Sequence, residues 1–313
     1  MTMQEQKSEV VMSGAVESVG LAEATEAGPL EQVRRRAGAW RRFSHHRLAV
    51  IGAVILLVLT VSAVAAPVIT DQDPNRASIS LYRKPPSMDH ILGSDASGRD
   101  VLSRLLHAGR VSLSVGLVSV AIYTAIGVIL GAFAGFYGGW VDSTIMRLAD
   151  IVLAFPTLII IITLVSLLGP SIWNIMVVIG LLGWPPIARI LRAQFLSLRE
   201  QEFVVASRAM GASNGRIIFR HLLPNALVPI IVAATFGMAG AILLEAGLSF
   251  LGLGVQPPTA SWGNMLNEAQ SLPVLESMPW LWLPPGVMIA LAVLSINFIG
   301  DGLRDAFDPH HVR

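Results

Sequence analysis

Apolar residues gather in six runs along the chain, near 48–69, 111–136, 145–168, 172–191, 226–250 and 284–303. Each approaches the ~20 residues that an α-helix needs to cross a bilayer. The pattern predicts an all-α polytopic membrane protein with six transmembrane helices. It also divides the chain. A basic region (1–47) precedes the first helix (48–69), an outside loop (70–108) leads into a membrane core (109–303), and a short tail (304–313) follows. Within the core, residues 192–225 replace the apolar pattern with an amphipathic one.

The most ordered part of that interruption is residues 202–225, EFVVASRAMGASNGRIIFRHLLPN. Leu198, Val205, Ala206 and Ala209 fall on one helical stripe, with Arg199, Glu200, Gln201 and Arg208 on other faces. Gly211 is placed to end that helix in a left-handed cap, and Ser213 or Asn214 to start a second one that stops at Pro224. The unit reads as helix, glycine elbow, helix, built to lie against another surface. A plain positive loop that fixes membrane orientation reads equally well from these residues alone.

Composition narrows the class. With 53% hydrophobic and 14% charged residues, the chain is a membrane protein rather than a soluble domain, and the absence of Cys excludes disulfides and thiolate metal sites. The net charge of +1 says nothing about partners, but its distribution does. If the amino end is cytoplasmic, sixteen of the 22 Lys and Arg residues lie inside and six outside, and loop 251–283 has none. This positive-inside bias puts both termini and residues 202–225 in the cytoplasm.

The remaining segments carry weaker signals. Residues 1–30 lack aromatics and are rich in Glu, Ala, Gly and Ser, which predicts a disordered tail. Residues 34–47 interleave Arg with Trp40 and Phe43, fitting an interfacial helix against membrane lipid or a topogenic signal. Ala63-Val64-Ala65 resembles a signal-peptidase site, but 47 preceding residues are too many for an n-region, so the helix is read as uncleaved. In the outside loop, Asp95 or Ser97 is positioned to cap a short helix bearing Val101, Leu102, Leu105 and Leu106, lying flat on the membrane; surface packing is favoured there over anion binding. Gly127, Gly131 and Gly135 recur every four residues and form a smooth face for a neighbouring helix. Arg147 and Asp150 are spaced to pair on one face, and Pro156 to kink that helix. Glu245 is an isolated intramembrane acid, facing either a hydrated translocation path or freed backbone. Trp262, Trp280 and Trp282 suggest head-group anchors, with SWGNMLNEAQSL as a short surface helix between them. His310 and His311 are read as solvent-exposed rather than metal-binding.

No phosphate loop is present, since Lys7 and Lys84 are the only lysines and neither follows a Gly-rich turn. Paired intramembrane acids, a Ser-His set, a HExxH motif and charged rows suited to a proton relay are missing too. The chain reads as a passage whose energy must come from elsewhere.

Residues 205–224 resemble the EAA loop of ABC importer permeases. Val205, Ala206 and Ser207 stand at its opening Glu-Ala-Ala, Gly211 at its glycine, His221 at its isoleucine, and Leu223 and Pro224 at its closing pair. Arg208 lies between the opening triplet and the elbow. The replacement of Glu and Ile leaves the elbow and its spacing intact. Four further segments, LGSDASGRDVLSRLLHAGRVSLSVGL, GGWVDSTIMRLADIVLAFP, LSFLGLGVQPPTASWGNML and GDGLRDAFDP, are similar to the dipeptide, oligopeptide and nickel branch of that family. The resemblance covers most of the chain from Leu92 onward.

What the resemblance implies is a type I, MetI-like permease in the cytoplasmic membrane. A second homologous permease, two ABC ATPases that bind ATP and Mg, and an extracytoplasmic solute-binding protein would complete it. No cofactor, metal or nucleic acid is expected in this chain. The 192–225 loop would be the coupling element, and di- or oligopeptides the cargo, with nickel or another small solute as the alternative. Outside the family, a secondary transporter would call for inverted repeats and midplane acids. A membrane scaffold is distinguished only by its partners.

Overall fold

The computed structural model describes residues 41–307. The expectations for residues 1–40 and for His310 and His311 lie outside the described residues.

Helix α1, Arg47–Val64, starts where the His46 ring accepts from the Ala49 N–H at 3.1 Å. At its other end Arg110 donates to the Ala63 and Val64 carbonyls through Nε (2.6 Å) and Nη2. A cation on the last carbonyls of a helix satisfies acceptors that have no intrahelical partner. The loop that follows ends at Asp100, whose carboxylate accepts from the Ser103 N–H at 2.7 Å and caps α2, Val101–Tyr137. Asp100 is therefore the cap, not Asp95 or Ser97. Leucines 102, 105 and 106 are not on a separate helix lying flat, because the apolar face of their turns runs without a break into the span. At ~1.5 Å per residue α2 is roughly 55 Å long, well beyond the ~30 Å of hydrocarbon it has to cross.

Helices α3, Gly139–Ala154, and α4, Thr157–Leu168, meet at 83°. Phe155 is extended (φ −100°, ψ 145°), the conformation forced on a residue before proline, so Pro156 breaks the helix instead of only kinking it. Asp150 does not pair with Arg147. Its carboxylate meets Arg189 at 2.5 Å, on a different helix. Helices α5, Ile172–Leu182, and α6, Trp184–Leu198, form one span around Gly183, with Pro185 admitted at the first turn of α6. After α7, Glu202–Ala209, the chain re-enters the bundle as α8, Leu223–Phe250. Then come α9, Trp262–Leu266, and α10, Pro279–Phe307.

Among the described residues five helices are long and apolar enough to cross a membrane, and the bent pair α3–α4, counted as one span, makes six. Two buried clusters organise them. One joins the inner half of α2 to α5, α6, α7 and α8, through Tyr123, Val178, Ile187, Val204 and Ile230. The other joins α1, the outer half of α2, α9 and α10, around Trp262. Trp262 is only 2% exposed and its indole N–H donates to the Leu105 carbonyl at 3.1 Å, so it is a core side chain and not a head-group anchor. Helix α9 is held inward with it: a Cβ on Gly263 would come within 2.6 Å of the Ala246 Cα, which leaves no room for the expected surface placement.

Candidate functional site

Residues 199–222 connect α6 to α8 through three local devices. The turn Arg199–Gln201 separates α6 from α7, with the Gln201 N–H on the Leu198 carbonyl at 3.1 Å. Helix α7 closes in a full Schellman motif, the Gly211 N–H donating to the Arg208 carbonyl and the Ala212 N–H to the Ser207 carbonyl, both at 3.0 Å. Gly211 supplies the left-handed residue this motif needs, at φ +82°. Ser213 then accepts from the Arg216 N–H at 3.4 Å and starts the turn Asn214–Arg216. Next is a π-helical stretch, Ile217–Leu222, in which the Leu223 N–H reaches back five residues to the Ile218 carbonyl. The second helix accordingly does not stop at Pro224. Pro224 lies in the first turn of α8, where its missing N–H is tolerated, and the wide π turn leads directly into it.

The buried face of α7 consists of Val204 and Ser207; Val205, Ala206 and Ala209 point outward. The expected stripe is thus displaced by one residue, because Leu198 belongs to α6 and the intervening turn resets the helical phase. Val204, Ile217 and Leu222 are fully buried and fix the unit to the bundle. Arg208 lies 5.9 Å over the Phe136 ring, and Arg199 donates to the Gly135 carbonyl at 3.3 Å, so both cations sit at the carboxyl end of α2. On the outer side Phe203, Val205, Met210 (81% exposed) and Phe219 (72%) remain uncovered. Gly211 is exposed, while Leu223 and Pro224 are half-buried. Four large apolar side chains are thus uncovered on a short, otherwise polar connection.

Gly127, Gly131 and Gly135 all face α6. A Cβ at these positions would come within 2.6 Å of Ile187 Cβ, the Ala188 carbonyl oxygen and Phe195 Cβ, respectively. The two helices touch nearly backbone to backbone. Two ion pairs missed by sequence reasoning tie α3 to α6: Arg192 to Asp142 through Nε and Nη2, and Arg189 to Asp150. Separations of 50 and 39 residues leave no local signal for them.

Glu245 has no exposed surface. Its carboxylate accepts from Ser249 at 2.7 Å and from Ser112 at 3.1 Å. Ser112 in turn accepts from the Trp262 N–H, and Ser249 from the Val255 N–H, both at 3.1 Å. Glu245 thus fastens α2, α8 and α9 together. In this conformation the carboxylate is sealed from solvent and bonds two serine hydroxyls rather than freed backbone. Among the described residues no group of three or more His, Asp or Glu is arranged to hold a metal ion.

Residues 127–312 match the family model of the binding-protein-dependent transport system inner membrane component, and residues 36–86 that of the N-terminal transmembrane domain of oligopeptide transport permease C. The chain belongs to the first of these families. As an ABC permease of that family it is a multi-pass inner membrane protein with no catalytic or cofactor site of its own; ATP is handled by ATPase partners. The permease is 43% identical over 271 residues to the dipeptide transport system permease protein DppC of Alkalihalophilus pseudofirmus, covering 87% of this chain and 88% of that one. It is 38% identical over 291 residues to the oligopeptide transport system permease protein OppC of Bacillus subtilis, covering 91% and 95%. Its fold resembles the inward-facing MetNI methionine ABC transporter, with a TM-score of 0.51 at 21% identity, over 65% of this permease and 96% of that chain. The whole 202–225 unit and the α2 glycine row lie inside the family match.

Proposed function

We propose that the permease passes di- or oligopeptides across the cytoplasmic membrane, driven through residues 202–225 by an ATPase seated on them. The observation that carries this reading is the exposure of Phe203, Val205, Met210 and Phe219 on the short unit mounted directly between two spans. The peptide cargo follows from the likeness to dipeptide and oligopeptide permeases. Both termini lie in the cytoplasm, as the charge bias favours. A second homologous permease, a pair of ATPases and an extracytoplasmic binding protein complete the assembly.

Closure of the ATPases pulls the unit and, through its short rigid junctions, rocks α6 and α8. Because α6 lies against the α2 glycine row, α2 moves with it. The pathway switches from inside-open to outside-open, takes cargo from the binding protein, and releases it inward after hydrolysis.

Uptake of a labelled dipeptide by right-side-out vesicles tests the cargo. Unlabelled di- and tripeptides are expected to compete fully and nickel ion not at all. Uptake of labelled nickel ion, with no uptake of any labelled peptide, would replace the substrate while leaving the architecture in place.

A further inference from the structure

The outer ends of α2 and α8 enclose a cavity of about 290 Å³ that the coupling account does not use. Its volume is at the lower end of ligand pockets, room for a small ligand. Two loops contribute its charges. The first supplies Asp95 and Arg99, with Arg104 added from the first turn of α2; the second, which has no Lys or Arg between residues 251 and 283, supplies Glu268.

Asp95 is fully engaged. It accepts from the Ser97 and Arg99 backbone N–H groups at 2.8 and 2.9 Å, takes Arg99 Nε at 2.6 Å, and has Arg104 Nε at 3.4 Å. Arg104 also donates to the Pro74 and Pro258 carbonyls. Two groups keep unused capacity. Arg99 bonds Asp95 through Nε, so its two terminal nitrogens are available to the cavity. Glu268 accepts only the Ala96 N–H, at 3.3 Å to each oxygen, and among the described residues no cation lies within 4.0 Å of it. A partly buried carboxylate without a cation is a costly arrangement, and a bound ammonium relieves it.

With both acids ionised the four charges cancel, so a lone cation or anion would leave the cavity charged and a zwitterion would not. We propose that this cavity is an entry site for a small zwitterion of the amino acid or short-peptide class, its ammonium on Glu268 and its carboxylate on the terminal nitrogens of Arg99. The site deepens the peptide reading above and rests on it for the source of the ligand.

Burial, and then the charge of Asp95, hold the empty Glu268 carboxyl above the ordinary carboxylate range, against the pull of the Ala96 N–H, Arg83 and Arg99. Arg104 faces the same carboxyl. A raised folded-state value means that the ionised form weakens the empty protein. The stability it withholds is present below the ordinary value and is lost as pH rises through the raised one. The ammonium needs that ionised form, so affinity falls as pH is lowered through the raised range.

Calorimetric titration of the assembled transporter in nanodiscs with L-alanyl-L-alanine, without binding protein, tests the site. Saturable binding is expected, weakened about tenfold by acetylating the amino end or amidating the carboxyl end, the effect of losing ~1.4 kcal/mol. Glu268→Gln is expected to bind the free and acetylated dipeptides equally, and Arg99→Gln the free and amidated ones. Because the blocked ligands are compared on unaltered protein, a variant that fails to fold does not decide the result. Equal binding of free and blocked dipeptides to the unaltered transporter would overturn the site. Dipeptide uptake with no saturable binding would also overturn it and leave the peptide reading standing. Zwitterion binding that depends on Glu268, without uptake of any peptide, would support the site and remove the peptide reading.

Discussion

Replacing Gly211 with proline is expected to leave the permease in the membrane, let its ATPases turn over, and lower peptide uptake per ATP by about tenfold or more, the factor that ~1.4 kcal/mol of lost coupling produces. The reason is confined to the backbone. No atom lies within 4 Å of where a Cβ on Gly211 would sit, so side-chain crowding is not at issue. The elbow needs φ +82°, whereas proline is locked near −65° and lacks the N–H that bonds the Arg208 carbonyl. Helix α7 then loses its fixed angle to the π turn, and the exposed side chains of α7 no longer keep their placement relative to Phe219. Gly211→Ala should be milder, at about 1–2 kcal/mol of local strain. Arg208→Glu tests the other anchor, since it replaces the cation over Phe136 with an anion. Uptake and hydrolysis measured in the same proteoliposomes check both. Normal uptake in both Gly211→Pro and Arg208→Glu would remove residues 202–225 from the coupling route.

Gly131→Val is expected to have the largest effect on the fold itself. A Cβ there meets the Ala188 carbonyl oxygen at 2.6 Å, the Ala188 Cα at 3.0 Å and the Leu191 Cβ at 3.0 Å. Two of the three are backbone atoms of α6 and cannot rotate away. Valine then adds two methyl groups, so α2 and α6 must separate, at about 3 kcal/mol or more. Gly240 provides the control, because nothing lies within 4 Å of its Cβ position. Gly240→Ala should keep the melting temperature or raise it slightly, as alanine favours helix by up to ~1 kcal/mol over glycine. Thermal unfolding of the purified protein, followed by size-exclusion chromatography, separates the two. Equal midpoints for Gly131→Val and the unaltered protein would mean that the glycine row does not carry the α2–α6 contact.

Features with a local period were legible in the sequence. The long apolar runs located the helices, and the four-residue glycine repeat marked a packing face whose partner lay out of sight. Gly211 was legible as an elbow because few other residues take a left-handed cap. Phase and pairing were not. The turn at residues 199–201 contains neither Gly nor Pro, so nothing announced that α7 starts a new register and turns Val204 inward in place of Val205. Asp150 had a cation three residues away and took Arg189 instead, because α6 crosses α3 at that level. Glu245 stood alone among apolar residues, and its fate depended on Ser112, 133 residues earlier. Trp262 looked like a boundary anchor by type, yet its indole N–H found a buried carbonyl, which satisfies the one polar group a core tryptophan must place.

In the proposed coupling, this chain passes cargo while other chains supply the energy through residues 202–225. Its most direct test is purification of the tagged permease in mild detergent from its native membrane, with the bound proteins identified by mass spectrometry. A second permease and two ABC ATPase chains are expected, with both ATPases lost when Met210 and Phe219 are replaced by aspartate. Recovery of the chain alone across several detergents, or ATPases retained unchanged by the double variant, would contradict it.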